Sequence, residues 1–321
     1  MEKKKYLIDL MVIVSALALF FIWHNKNYEA VPTSSLRNEK IYLITMDKTD
    51  QFWTYLDEGA GDMAELLGVT YQWEGPQERD VQEQINIFRN VVEAGADAIL
   101  LAASDPVRIS RAVEDAKARG VKIIYVDAPA VEEAVVILAT DNYRAGRIAG
   151  ETMITELEAV GIRGGSIGII GVTPENSTTI NRERGFRDAI SENGNYVLLD
   201  TKFSNGDAET AQEKAQEFIN ESLDLVGLFG TNEGSTEGVG NAIKANNKKI
   251  IGIGFDISDT IQEMIRDDVL QSVMVQNPYT MGYLGMAEAV AALKGYDTGP
   301  PFIDTGVSVF NKYTPRRPDV R

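Results

Sequence analysis

Cysteine is absent from this 321-residue chain, and histidine occurs once, as His24. The first absence excludes disulfides, thiolate zinc sites, a cysteine nucleophile and an acyl anchor on a lipoprotein cysteine. The second leaves everything after position 24 without the commonest general base and the commonest metal ligand. Cationic side chains are also scarce. Lys and Arg total 31 against 48 Asp and Glu, a formal net charge of −17. Phosphate backbones repel such a chain, which argues against nucleic acid as a partner. Nothing in this inventory calls for a metal or a cofactor. Carboxylate-only catalysis is the one enzymatic route left open, and the chain reads as a binder rather than an enzyme.

What is present begins with a membrane-directed N-terminus. Lys3, Lys4 and Lys5 precede Tyr6–Trp23, an apolar run broken only by Asp9 and Ser15. Its length is near the roughly 20 residues that span a bilayer. The lysines predict a cytoplasmic start and an exported remainder. Segment 1–24 is therefore read as a membrane anchor or a signal peptide. An uncleaved anchor is favoured because bulky residues, not a small-x-small site, follow the run directly; a cut near Ala30 is the alternative. Residues 25–39 are polar, with Pro32 and two serines, and read as a tether.

From Lys40 short β-branched runs alternate with helical patterns. Strands are expected at Ile41–Thr45, Val69–Trp73, Ala98–Ala102, Lys122–Val126 and Val135–Ala139. A second set is expected at Ser166–Ile170, Val197–Thr201, Leu225–Phe229, Lys249–Ile253 and Ser272–Val275. Phe52, Leu56, Ala60, Met63, Ala64 and Leu67 recur at three- and four-residue steps, one face of a helix, with Asp50 at its N-cap position. Further helices fit 80–94, 107–119, 143–159, 179–193, 208–222, 234–246 and 280–294. Such alternation means βαβ units and parallel sheets. The predicted class is α/β: two similar doubly wound parallel-sheet lobes, with their junction near Thr140–Asp141.

Ligands of open parallel sheets sit beyond the carboxyl ends of the strands, and two lobes can turn both sets of ends toward one cleft. The residues following the strands are Asp47, Asp50, Phe52, Trp53, Ser104, Asp105 and Asp127 in the first half. In the second half they are Asn232, Phe255, Asp256, Gln276 and Asn277. Acids and amides reach adjacent hydroxyls, and aromatic faces cover C–H surfaces. The set suits a polyhydroxylated ligand.

At this point the residues resemble a known group. DQFWTYLDEGA at 50–60, ADAILLAASD at 96–105, GVKIIYVDAP at 120–129 and ATDNYRAGRIAG at 139–150 are similar to segments of the periplasmic sugar-binding proteins of the ribose- and galactose-binding type. So are NRERGF at 181–186, GTNEG at 230–234, GIGFD at 252–256 and VMVQNPYTMG at 273–282. The fold is shared with the effector domain of the lactose-repressor family. The resemblance implies a first lobe of 40–139 plus 277–305 and a second of 140–276 plus 306–312, joined by a hinge, leaving 313–321 as a tail. It implies that Phe52 and Trp53 flank a sugar ring, and that Asp50, Asp127, Arg182, Asn232, Asp256 and Gln276 contact the ligand. Two departures from the pattern, Ala128 where many relatives carry arginine and Gly206 where some carry an aromatic, leave the sugar unnamed. The implied partners are a membrane permease of the ABC type or a membrane sensor such as a histidine kinase, on the extracytoplasmic side.

Blander readings stand beside these. Asp50 could cap its helix and Phe52 could be core. Asp127 and Asp256 could be turn residues, and Arg182 a surface partner of Glu183 or Asp188. Asp141 and Asn142 are read as caps of the 143–159 helix. GGSIG at 164–168 mimics a nucleophile elbow around Ser166, but it precedes its strand and no histidine completes a triad. GIGFD lacks the spacing of a dinucleotide loop. Asn176-Ser177-Thr178 is a glycosylation sequon by pattern alone. A repressor would need a DNA-binding helix-turn-helix where this chain has an apolar span. A carboxylate-dependent enzyme on the same fold is the remaining rival.

Overall fold

The computed structural model describes residues 39–246, 248–296 and 299–314. The anchor or signal expected over 1–24, nearly all of the tether and most of the tail lie outside these residues. Among the described residues no helix is long and apolar enough to cross a membrane.

Two sheets organise the chain. The first contains β1 (Lys40–Ile44), β2 (Thr70–Glu74), β3 (Ala98–Leu101), β4 (Lys122–Val126), β5 (Ile137–Ala139) and β12 (Phe302–Asp304), in the order β12-β5-β4-β3-β1-β2. The second contains β6 (Gly165–Gly171), β7 (Tyr196–Leu198), β9 (Leu225–Gly230), β10 (Ile251–Phe255), β11 (Ser272–Val275) and β13 (Ser308–Asn311), in the order β13-β11-β10-β9-β6-β7; the short β8 (Lys202–Phe203) also pairs with β6. All pairings are parallel except β11 with β13. Central strands are apolar throughout: Ala98, Ile99, Leu100 and Leu101 are each 0% exposed, as a parallel sheet covered on both faces requires.

Helices α1 (Gln51–Leu67), α2 (Val81–Glu93), α3 (Ser110–Ala118) and α9 (Pro278–Leu293) belong with the first sheet. Helices α4 (Asn142–Ala159), α5 (Ser177–Asn193), α6 (Ala208–Glu221), α7 (Glu233–Lys244) and α8 (Asp259–Arg266) belong with the second. The expected helical stripe of α1 is buried at Phe52, Leu56, Ala60, Met63 and Ala64, and the helix stops where Gly68 adopts φ 70°. The two halves use the same device to bring helices close. In the first, a Cβ on Gly59 of α1 would collide with the Tyr279 carbonyl of α9, and one on Gly282 of α9 with the Leu56 carbonyl of α1; in the second, a Cβ on Gly146 of α4 would collide with the Arg182 carbonyl of α5, and one on Gly185 of α5 with the Tyr143 carbonyl of α4. Backbone-to-backbone contact of this kind admits only glycine, and it fixes the position of Arg182.

The chain passes between the sheets three times: from β5 to α4, from β11 to α9, and from β12 to β13. These segments touch. Asp141 N–H donates to Asp304 Oδ1 at 3.2 Å, and Asn277 Nδ2 donates to the Thr305 carbonyl at 2.6 Å.

Three expectations need correction. The strand expected over Val197–Thr201 is divided into β7 and β8, because the chain bends after Leu198 before rejoining β6. Helix α8 went unrecognised: its short amphipathic run, capped by Ser258 Oγ accepting the Ile261 N–H, falls between two strands with few residues to show a period. Strands β12 and β13 were missed because their residues are partly exposed edges without alternation.

Candidate functional site

Site residues sit where the strands of both sheets end. Asp127 follows β4 and Asp256 follows β10, and both hold positive φ, 62° and 68°. The left-handed conformation is rare outside glycine and best tolerated by Asp and Asn. Each aspartate keeps one ladder bond to the neighbouring strand, Asp127 N–H to the Leu138 carbonyl (2.9 Å) and Asp256 N–H to the Met274 carbonyl (2.8 Å). The two halves thus present one carboxylate each by the same backbone geometry.

Arg182 lies between them. Its guanidinium is 3.9 Å from Asp127 Oδ1 and 3.9 Å from Asp256 Oδ2. Nε donates to Asn142 Oδ1 (2.8 Å), Nη1 donates to the Thr231 carbonyl (2.9 Å), and the group stacks 4.1 Å from the centre of the Phe255 ring. It is 2% exposed. The surface reading is therefore wrong: Glu183 pairs with Arg187, and Asp188 accepts the Tyr143 hydroxyl. Burial lowers the Arg182 pKa, with the two aspartates pulling it back up; a guanidinium stays charged even so. Burial pushes Asp127 up to about 6 against the pull of Arg182, and raises Asp256 as well.

Phe52 and Trp53 meet edge to face at the start of α1, ring centres 4.8 Å apart. Asp50 occupies the N-cap position of that helix, but its side chain makes no capping hydrogen bond. The cap comes from the other half of the molecule. Glu233, at the start of α7, accepts the Gln51 N–H (2.7 Å) and the Phe52 N–H (3.1 Å). Burial, then the charge of Asp50, pushes Glu233 up to about 9. Asp50 is raised to about 7 by burial and by Asp47, while Arg79 draws it down. Asp47 is buried too, but the charge and hydrogen bonds of Arg79 outweigh that and hold it below the usual carboxylate range.

The eight residues singled out from the sequence, Asp50, Phe52, Trp53, Asp127, Arg182, Asn232, Asp256 and Gln276, all line one cavity with about 310 Å³ of empty space. Four buried polar atoms on these residues have no hydrogen-bond partner: Trp53 Nε1, Asn232 Nδ2, Asp127 Oδ1 and Gln276 Oε1. Two are donors and two are acceptors. The amides are oriented by their other ends, since Asn232 Oδ1 caps α7 through the Ser235 N–H (3.1 Å) and Gln276 Nε2 donates to Asp256 Oδ1 (2.8 Å). An unpaired buried group costs about 1–3 kcal/mol, and a ligand offering both donors and acceptors removes that cost.

Other candidates went elsewhere. Asp105 accepts the Val107 and Arg108 N–H groups in a turn, and the Ser104 N–H donates to Gln84. Phe255 is core beneath Arg182, and Asn277 joins the crossing segments. Asp141 caps α4 as expected, accepting the Arg144 N–H at 3.0 Å, whereas Asn142 orients Arg182. Ser166 is buried in β6 and bonds Asp224. Met46, Arg79, Asn176, Thr178 and Thr179 also line the cavity and were not anticipated. Arg79 lies in the loop that follows β2, with no nearby motif to mark it. Asn176 sat inside a discarded sequon; it caps α5 through the Thr179 N–H (3.0 Å). No signal in the sequence pointed to Glu233 as a partner of α1.

Comparisons with known proteins agree with this architecture. Residues 41–297 match the family model described as periplasmic binding protein domain. The ribose import binding protein RbsB of Haemophilus influenzae is 26% identical over 269 residues, covering 83% of this chain and 89% of that protein. A solved ABC transporter solute binding protein from Agrobacterium vitis, with bound D-fucose, is 31% identical with a TM-score of 0.81, covering 87% of this chain and 97% of that one. A carbohydrate transporter solute binding protein from Agrobacterium radiobacter, in complex with D-arabinose, is 30% identical with a TM-score of 0.83, covering 87% and 96%.

Proposed function

The chain belongs to the periplasmic binding protein family, and from that premise we propose that it captures a small polyhydroxylated ligand, a monosaccharide, between its lobes and presents it to a membrane permease of the ABC type. The observation that carries this reading is the set of four unpaired buried atoms, two donors and two acceptors, around one small cavity. A hydroxyl is both donor and acceptor, so a sugar answers both kinds at once. The named ligands of similar proteins, ribose, D-fucose and D-arabinose, are of this class.

The mechanism in this proposal is hinge closure about the three crossing segments. Each half supplies part of the contact set, Asp50, Phe52, Trp53 and Asp127 from one and Arg182, Asn232 and Asp256 from the other. Only the closed form gives a ligand all of them, so binding shifts the open–closed equilibrium by its differential affinity. The apolar run 6–23 would hold the protein at the outer face of the membrane. A histidine kinase is the alternative partner, and the same run, with no cysteine for a lipid, favours a tethered arrangement that suits it.

The test is a thermal-shift and calorimetric screen of the full chain against pentoses, hexoses and polyols. A raised melting temperature with the sugar recovered unchanged is expected. No shift with any of them would end the sugar reading, and new products would make the protein an enzyme.

A further inference from the structure

The proposed sugar site holds more carboxylates than its arginines balance. Arg79 is already engaged by Asp47, through Nη2 at 2.8 Å and Nε at 3.2 Å. Arg182 is shared between Asp127 and Asp256, with two of its N–H groups bound elsewhere. Asp50 is left with Arg79 at 3.6 Å and no hydrogen bond to its own helix. Asp127, only 5% exposed, keeps Oδ1 without a hydrogen-bond partner. Asp47, Asp50, Asp127 and Asp256 against Arg79 and Arg182 leave two uncompensated negative charges when all are ionised.

The approach to the site has the same sign. A larger hollow, about 1200 Å³ of space open to solvent, shares Asp50 and Arg79 with the inner cavity. Glu78, Asp207, Glu237 and Asp259 line it, and Arg79 is the only basic residue among its walls. Asp207 and Asp259 lie at helix starts, where the dipole offsets about half a charge each. The offset is partial, so the mouth remains a field that concentrates cations.

We propose that the ligand is an amino sugar or an amino polyol, with its ammonium seated against Asp50 where the mouth meets the inner cavity. This rests on the sugar-binding reading above and narrows it to a cationic class. A buried acid whose one counter-charge is shared, as Asp50 shares Arg79 with Asp47, must either take up a proton or meet a further cation. Asp50 and Asp127 sit at about 7 and about 6, where a neighbouring cation tips both to the ionised form. A neutral sugar offers hydroxyls to the four unpaired atoms but nothing to the excess charge, whereas an ammonium supplies three donors and the missing positive charge.

The test uses the full chain in calorimetric titrations at pH 7.5 with matched sets: D-glucose, D-glucosamine and N-acetyl-D-glucosamine, and the corresponding galactose and mannose sets. The acetylated sugar keeps the nitrogen and loses the charge. At least one amine should bind tenfold or more tighter than both its hydroxyl parent and its acetylated form. That ratio should collapse toward one in Asp50→Asn. Parents that bind as well as the amines, or a ratio untouched by Asp50→Asn, would overturn the proposal while leaving a neutral-sugar site standing. Failure of parents, amines and every other monosaccharide to bind would remove the sugar-binding reading itself and this inference with it.

Discussion

Glu233 caps a helix that belongs to the opposite half of the molecule: its carboxylate oxygens accept the Gln51 N–H at 2.7 Å and the Phe52 N–H at 3.1 Å. A further bond runs the same way, the Asp259 N–H donating to Gln51 Oε1 at 3.2 Å. Both lie at the mouth of the cleft, far in sequence from the crossing segments, so both exist only when the halves are together. With Glu233 raised to about 9 the acid is neutral near pH 7, and each of its two hydrogen bonds contributes about 0.5–1.5 kcal/mol. Glu233→Ala should therefore weaken ligand binding by about ten- to a hundredfold, mainly by releasing ligand faster. Glu233→Gln, which keeps one acceptor, should fall between. Stopped-flow release rates check this; unchanged rates in Glu233→Ala would mean the contact plays no part in closure.

Arg182 gives a second prediction. Removing one partner of a buried ionic cluster costs about 3–5 kcal/mol, because the remaining charges are left without compensation. Arg182→Met keeps most of the volume over Phe255 and removes the charge between Asp127 and Asp256. Its melting temperature and its ligand affinity should both drop sharply. Adding Asp127→Asn and Asp256→Asn should restore most of the stability and none of the affinity. Denaturant melts and titrations on the same samples separate the two effects. Recovery of both together would make the cluster purely structural.

The sheet cores, the helix faces and the strand-end acids were legible in the sequence because each obeys a local rule. Strand periodicity and the parallel-sheet rule together point to Asp127 and Asp256, while Arg182, Asn232 and Gln276 rest mainly on the family resemblance; all eight residues line one cavity. Illegible were features set by the meeting of distant segments. Glu233 has no sequence mark that ties it to Gln51. Asp50 looked like a cap, and its position is one, but of the N–H groups it would bind, that of Phe52 is taken by Glu233 and that of Trp53 by the Asp50 carbonyl. Asn142 looked like a cap and serves to orient Arg182, while Asp141 beside it does the capping. Local propensity identifies which residues can do a job; the tertiary fold decides which of them does it.

Two glycines should respond in opposite ways to the same substitution. Gly146→Ala places a methyl against the Arg182 carbonyl and forces α4 from α5. Overpacking of this kind costs about 1–3 kcal/mol, and the displaced Arg182 should lower ligand affinity as well. Gly61 lies inside α1, where a Cβ would meet only Tyr71 Cε1 at 3.8 Å. Gly61→Ala should stabilise by about 0.5–1 kcal/mol through helix propensity, with affinity unchanged. Urea midpoints for the pair check both signs, and a harmless Gly146→Ala would mean that the helices can separate without moving the site.

The last prediction concerns pH. Burial raises Asp50 to about 7, Asp127 to about 6 and Glu233 to about 9, from ordinary values of 3.8, 3.8 and 4.5. An acid with a raised folded pKa holds its proton in the native state where the unfolded chain has lost it. Stability from such a group is complete below the unfolded value and disappears as pH rises through the folded one. Asp47 is lowered and acts in the opposite sense, adding stability that is lost only at more acid pH. The unliganded protein should therefore melt highest near mildly acid pH and progressively lower from pH 5 to pH 8. Asp50→Asn should flatten the part of that slope between pH 5 and pH 7. Ligands divide the behaviour further. A neutral sugar leaves the acids uncompensated, so its affinity should fall or stay level over the same interval. An ammonium-bearing sugar gains as Asp50 and Asp127 ionise, so its affinity should rise until its own amine begins to lose a proton. A melting temperature that climbs from pH 5 to pH 8 in the absence of ligand would mean that the acids around Arg79 and Arg182 are ionised throughout, with the two guanidiniums sufficient to hold them so.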